Sequence, residues 1–116
     1  MSKPIGDDAE IAAERYLQQR GLSLIERNFR TKMGEIDLIM YDNDTLVFVE
    51  VRYRKNAAFG GAAASVDRRK QRKLINTAHY YLMCHAKYAT VACRFDVISL
   101  DANNHVEWIK NAFEEQ

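Results

Sequence analysis

The sequence predicts an α/β fold, a mixed sheet flanked by helices in the order αβββαβ with a tail behind it. Two observations carry that prediction. Apolar residues recur at helical spacing in two segments, one around Ala9 to Leu17 and one around Leu74 to Leu82, each preceded by residues able to cap a helix. Around them lie apolar, strand-like runs, the strongest being the pair on either side of residues 42–44, DND.

The elements follow in order. Asp7 or Asp8 is expected to cap a first helix whose inward face is Ala9, Ala12, Ala13, Tyr16 and Leu17, with Gly21 as the stop after Arg20. Residues 22–30 read as the first strand, and two more strands flank residues 42–44. Residues 56–64, NAAFGGAAA, read as a mobile loop. Ser65 is then expected to cap a long helix from Val66 to about His85, with Leu74, Ala78, Tyr81 and Leu82 inward and a basic start. Residues 90–100 read as a fourth strand, and residues 105–113, HVEWIKNAF, as either a fifth strand or a short helix.

At 116 residues, 47% of them hydrophobic and 28% charged, the chain fits one compact domain over residues 1–116. It has no repeat, low-complexity tract or linker, and its single proline is Pro4. No stretch approaches the roughly 18 consecutive apolar residues of a membrane helix, and no apolar run follows the N-terminal lysine. A soluble, cytoplasmic protein without a membrane partner is expected. Cys84 and Cys93 lack zinc-type or redox spacing, so reduced thiols are expected, with a bridge left open.

Net charge is only +1, yet its distribution is uneven. Residues 1–51 carry 6 basic and 10 acidic groups, residues 52–73 carry 8 and 1, and the remainder carries 3 and 5. A local basic block in a near-neutral chain suggests a polyanion site, the alternative being an ordinary solvated helix face. Its members are Arg52, Arg54, Lys55, Arg68, Arg69, Lys70, Arg72 and Lys73, with Gln71 among them.

The strands around DND raise a chemical question, because each carries one acid, Asp37 and Glu50. A two- or four-residue loop places them directly opposite, on one face, with Cβ atoms about 4.5 to 5.5 Å apart. A three-residue loop separates them. The surrounding residues are apolar on both faces, as in interior strands. Two ionised carboxylates there would cost several kcal/mol unless a cation offset them. A hard divalent ion such as Mg²⁺, which takes carboxylate oxygens together with water and phosphate, suits that need. The alternative is a pair of wet acids at the strand ends, joined to basic neighbours such as Arg52 or Arg54, with Glu35 across from Arg52 in an ordinary salt bridge.

These residues resemble the metal-dependent nuclease superfamily with the PD-(D/E)xK signature, and more closely its small bacterial YraN family. The likeness is carried by Gly6, Glu10, Ala13, Tyr16 and Leu17 in the first helix, by GEIDLI at residues 34–39 and by FVEVR at residues 48–52. It continues through FGGAAASV at residues 59–66, KQRKL at residues 70–74 and CRFDV at residues 93–97. The resemblance implies a restriction-endonuclease-like core and places Asp37 and Glu50 where the superfamily holds its metal. It also puts Glu10 where related resolvases use a first-helix glutamate, and leaves Glu14 as the weaker, solvated candidate. Lys70 and Gln71 would face the phosphate backbone. Two positions depart from the signature: Ile36 replaces its proline and Arg52 its lysine. A guanidinium cannot take a proton from water, although it can hold a phosphate in a two-pronged grip. Either another group, Lys70 first, assumes the lysine's role, or Arg52 only stabilises charge, or the site does not cut.

The resulting expectation is an endonuclease that uses Mg²⁺ or Mn²⁺ to hydrolyse phosphodiester bonds of DNA, with branched and single-stranded forms among the candidate substrates. Asp37, Glu50, Arg52 and Lys70 would be catalytic, and Glu10, Asp37 and Glu50 would hold metal. Arg52, Arg54, Lys55, Arg68, Arg69, Lys70, Gln71 and Lys73 would bind nucleic acid, and a homodimer would cut both strands. The rivals are a non-cutting nucleic-acid-binding module and an interaction scaffold. His79, His85 and His105 lack metal spacing and read as structural or solvated. Tyr80, Tyr81, Phe95 and Trp108 read as packing residues. Phe59 is open between stacking and core, and Asp96 between supporting the site and solvation.

Overall fold

The computed structural model describes residues 5–54, 65–103 and 105–114. Lys55 and the expected loop at residues 56–64, with Phe59, lie outside the described residues. Helix α1, Ile5–Gln19, already contains Asp7 and Asp8, so neither caps it. Its buried face is Ala9, Ala13 and Leu17, spaced one turn apart, whereas Ala12 is exposed and Glu14 is buried in its stead. The expected stop holds. Gly21 takes φ +99, a left-handed conformation that costs glycine nothing, while its N–H reaches the Gln18 carbonyl and the Leu22 N–H reaches Leu17, both at 3.1 Å. Leu17 and Leu22 meet in the same core cluster, closing the turn with an apolar contact.

Five strands form one sheet in chain order: β1 Ser23–Thr31, β2 Gly34–Asp42, β3 Thr45–Arg54, β4 Ala92–Asp101 and β5 Val106–Phe113. All neighbours are antiparallel except β3 and β4, which run parallel because helix α2, Arg68–Cys84, carries the chain back between them. HVEWIKNAF is thus a strand, held at the sheet edge by β4. Helix α1 covers Leu38, Met40, Val47, Val49 and Ile98, and α2 covers Ile39, Leu46, Phe48, Phe95 and Val97. Because helices cover both faces, β2 and β3 are buried on each side and read as nearly continuous apolar runs.

The β2–β3 turn is the two-residue form, Asn43 and Asp44, with Asn43 at φ 57, which asparagine tolerates. It sets pairs from Asp42↔Thr45 to Leu38↔Val49, the register in which Asp37 falls opposite Glu50. Helix α2 starts two residues later than expected. Asp67, not Ser65, is its cap: Asp67 holds extended backbone (φ −75, ψ 175) and accepts the Lys70 N–H at 2.9 Å, while Val66 drops into the core. Leu74, Ile75, Thr77, Ala78 and Tyr81 are its buried residues, and Leu82 is half-buried. No helix of the described residues is long and apolar enough to cross a membrane. Cys84 and Cys93 are both exposed and not bridged to each other, and Cys93 Sγ donates to the Val91 carbonyl at 3.5 Å.

Candidate active site

Asp37 sits where strand pairing fails on both sides. Toward β3 the last paired residues are Leu38 and Val49. Toward β1, Arg27 pairs with Leu38 and Phe29 with Ile36, so Asn28, at φ 54, is skipped along with Asp37. Ile36 and Ile39 consequently share one core cluster, which regular alternation of a strand would prevent. The distortion re-aims Asp37, and its Oδ2 accepts the Val51 N–H at 2.8 Å in place of a backbone carbonyl. An asparagine inside a strand was the only sequence signal of this break.

Glu50 is 5% exposed and Asp37 8%, and their carboxyl groups lie within hydrogen-bonding reach of each other. Burial, and then the charge of Asp37, pushes Glu50 up to about 7, against the opposing pull of Lys70 and Arg52. Burial also raises Asp37, outweighing its hydrogen bond from Val51. The cations are near but loose: Arg52 Nε is 3.6 Å and Lys70 Nζ 3.7 Å from Glu50 Oε2. Arg52 donates through Nη2 to the Ser65 carbonyl at 2.7 Å, and its Nε is buried without a hydrogen bond. The Arg52–Glu35 bridge that the alternative reading offered does not form, because Arg52 turns toward Ser65, ahead of α2. Glu35 instead faces Arg30 at 3.6 Å on the surface.

Beside the acids, Arg52, Arg69, Lys70 and Lys73 line a cleft of about 420 Å³ together with Ser65 and Asp67. Four cations of the basic block therefore converge there. Arg54 and the exposed Arg68 do not line it. Gln71, expected to face a phosphate backbone, donates to the Val66 carbonyl at 3.0 Å and so ties the entry of α2.

Glu10 does not join the pair. It lines a separate cavity of about 540 Å³, against α1 and β1, with Glu14, Arg15, Arg27 and Asn28 among its walls. Among the described residues, no three His, Cys, Asp or Glu side chains are gathered as a metal-binding group. The reason is topological: α1 packs on the Leu38–Val49 face of the sheet, whereas Glu50, one residue on, turns toward Lys70 of α2. Glu14 is not solvated as expected but buried, gripped by Arg27 Nε at 2.7 Å and Nη2 at 2.9 Å. Asp96 is neither solvated nor beside the acids. Fully buried, it accepts from Arg94 Nε (3.0 Å), Trp108 Nε1 (3.0 Å) and the Asn111 N–H (2.9 Å). His85 is bonded to the Tyr81 carbonyl at 2.8 Å and His105 to Asp101 at 3.0 Å, both structural contacts. Tyr81 is in the core, but Tyr80 is 43% exposed.

Against known proteins, the model of the "Uncharacterised protein family UPF0102" matches residues 9–100. A UPF0102 protein of Saccharophagus degradans is 54% identical over 93% of this chain and 91% of its own length. One from Nitrosomonas europaea is 52% identical over 95% and 93%, and one from Alcanivorax borkumensis is 49% identical over 96% and 92%. Among solved structures, Pyrococcus furiosus SfsA in complex with Ca²⁺ aligns at a TM-score of 0.32 and 13% identity, covering 90% of this chain and 61% of that one.

Proposed function

The chain belongs to the UPF0102 family, the YraN family, and from the adjoining carboxyls of Asp37 and Glu50 we propose that it is a Mg²⁺- or Mn²⁺-dependent nuclease acting on DNA. The observation that carries this reading is a buried acid pair whose two nearest cations, at 3.6 and 3.7 Å, stop short of tight bonds. Such a pair offers hard oxygen donors where the β2–β3 pairing ends, the donor set that a Mg²⁺ ion completes with water and substrate phosphate. The donors fit the ion with two protein ligands rather than three. When bound, the ion supplies charge neutralisation at the phosphate oxygens and acidifies a water.

The chain's own residues supply the rest. Arg52 Nε, buried with an unused N–H, is a donor for a phosphate oxygen, and Lys70 adds a point charge from the first turn of α2. Arg69 and Lys73 extend the positive wall of the cleft along the polyanion. Asp37, fixed by Val51, and Glu50, set in an interior strand, hold the acids against their mutual repulsion. Symmetric cutting of a duplex would require two copies of the chain.

One observation favours a second reading, a nucleic-acid-binding module that does not cut. Arg52 stands where a proton-accepting lysine would act and is tied to the Ser65 carbonyl. The deciding experiment incubates the protein and its Asp37→Asn and Glu50→Gln variants with single-stranded, nicked and branched DNA in Mg²⁺, Mn²⁺ or chelator. Metal-dependent products that vanish in both variants support the nuclease. Salt-sensitive binding without products in any metal leaves the module.

A further inference from the structure

The basic cleft does not end at Lys73. Arg69, Lys73 and Tyr80 are spaced i, i+4 and i+11 on α2 and all are exposed, so they form one stripe about 16 Å long. Gly34 brings the β1–β2 turn onto that stripe: a Cβ there would lie 3.5 Å from Lys73 Cβ and 3.1 Å from Thr77 Oγ1. Past Gly34 opens a hollow of about 300 Å³, walled by Arg30, Thr31, Lys32, Met33 and Tyr80. Its floor is apolar and uncovered. Tyr80 is 43% and Met33 42% exposed, and Phe29 backs the Tyr80 ring in a stacked arrangement at 6.4 Å. Its rim carries Arg30 and Lys32, with Glu35 offsetting part of Arg30 at 3.6 Å.

We infer that this hollow is a base-stacking subsite: a DNA strand held in the cleft runs unpaired along α2 and lays a base on Tyr80 and Met33. The inference rests on the reading of the cleft as a nucleic-acid site and adds to it a single-stranded substrate segment. Charge and geometry select that occupant. An exposed tyrosine ring with Phe29 stacked beside it offers a π-face to a base, and the flanking cations meet the backbone phosphates. At a stacked spacing of about 3.4 Å, the stripe spans about five nucleotides. A base-paired segment would present no free base face to the ring.

The test measures binding of a labelled single strand and of a blunt duplex of equal length, at low salt in chelator. Tyr80→Ala is expected to weaken the single strand roughly 5- to 100-fold and to leave the duplex unchanged, while Tyr80→Phe keeps both. In the unaltered chain, a strand carrying 5-iodouracil is expected to photo-crosslink to the peptide containing Tyr80, a readout that needs no variant to fold. Single-strand binding that survives Tyr80→Ala, equal losses for strand and duplex, or crosslinking elsewhere would overturn the subsite. Arg69→Ala with Lys70→Ala separates the two levels. If that pair weakens binding and Tyr80→Ala does not, only the subsite falls. If no oligonucleotide binds, the nucleic-acid reading falls and the subsite with it.

Discussion

Asp37 Oδ2 accepts the Val51 N–H at 2.8 Å, one step beyond the last paired residues of β2 and β3. The acid is therefore both a candidate ligand and the group that closes the end of this hairpin. Asp37→Ala leaves that N–H without a partner and should cost about 1 to 3 kcal/mol in urea unfolding in chelator. Asp37→Asn keeps an acceptor and removes repulsion with Glu50, so it should be at least as stable as the parent. Equal stability of the two variants would show that the bond holds nothing.

Glu50 binds its proton more tightly in the folded chain, at about 7, than at its ordinary 4.5. The folded state thus holds more protons between those values, and stability falls as pH rises. The contribution is whole below about 4.5 and lost as pH passes through about 7, a decline of roughly 3 kcal/mol at about 1.4 kcal/mol per pH unit. Glu50→Gln removes this group's share of the slope, leaving only that of the buried Asp37, so metal-free unfolding curves of parent and variant should diverge between pH 4.5 and 7. Parallel curves across that window would contradict the burial argument.

The same proton opposes a cation. Below about pH 7, Mg²⁺ must displace it from Glu50, so affinity should rise with pH and each binding event should release protons. Titration calorimetry in two buffers of different ionisation enthalpy reads that release directly. Asp37→Asn and Glu50→Gln should each remove most of the binding heat.

Asp96, itself fully buried, anchors the half-buried Arg94, which also reaches Asp42 at 3.0 Å. Asp96→Ala strands that guanidinium and the Trp108 and Asn111 donors, and should cost roughly 3 kcal/mol or more. The loss should appear as a lower unfolding midpoint with metal affinity unchanged per folded molecule. A variant as stable as the parent would show Arg94 to be satisfied by Asp42 alone.

Much of the architecture was legible because it depends on local pattern. The two apolar runs around residues 42–44 admit few registers, and the one with a two-residue turn aligned Asp37 with Glu50. Gly21 announced the end of α1 through the positive φ it alone takes freely. The helix starts were less legible: Ser65 and Asp67 both suit a cap, and the burial of Val66 between them selected Asp67. Ionic partners were the least legible. Arg27 of β1 chose Glu14 of α1, and Asp96 drew two donors from Arg94 on its own strand and two more from Trp108 and Asn111 of β5, partners set by how the elements pack and pair.

By itself, then, the chain's order of residues determined the mixed α/β sheet, the hairpin register and the meeting of two acids, since periodicity and turn length act over neighbours. Only the tertiary structure decided which groups surround those acids. The placement of α1 on one face and α2 on the other left Glu10 apart, brought Lys70 and Arg52 to Glu50, and broke the β2 pleat at Asp37. Side-chain electrostatics depends on distances of a few ångströms and on exclusion of water, and packing between remote segments sets both.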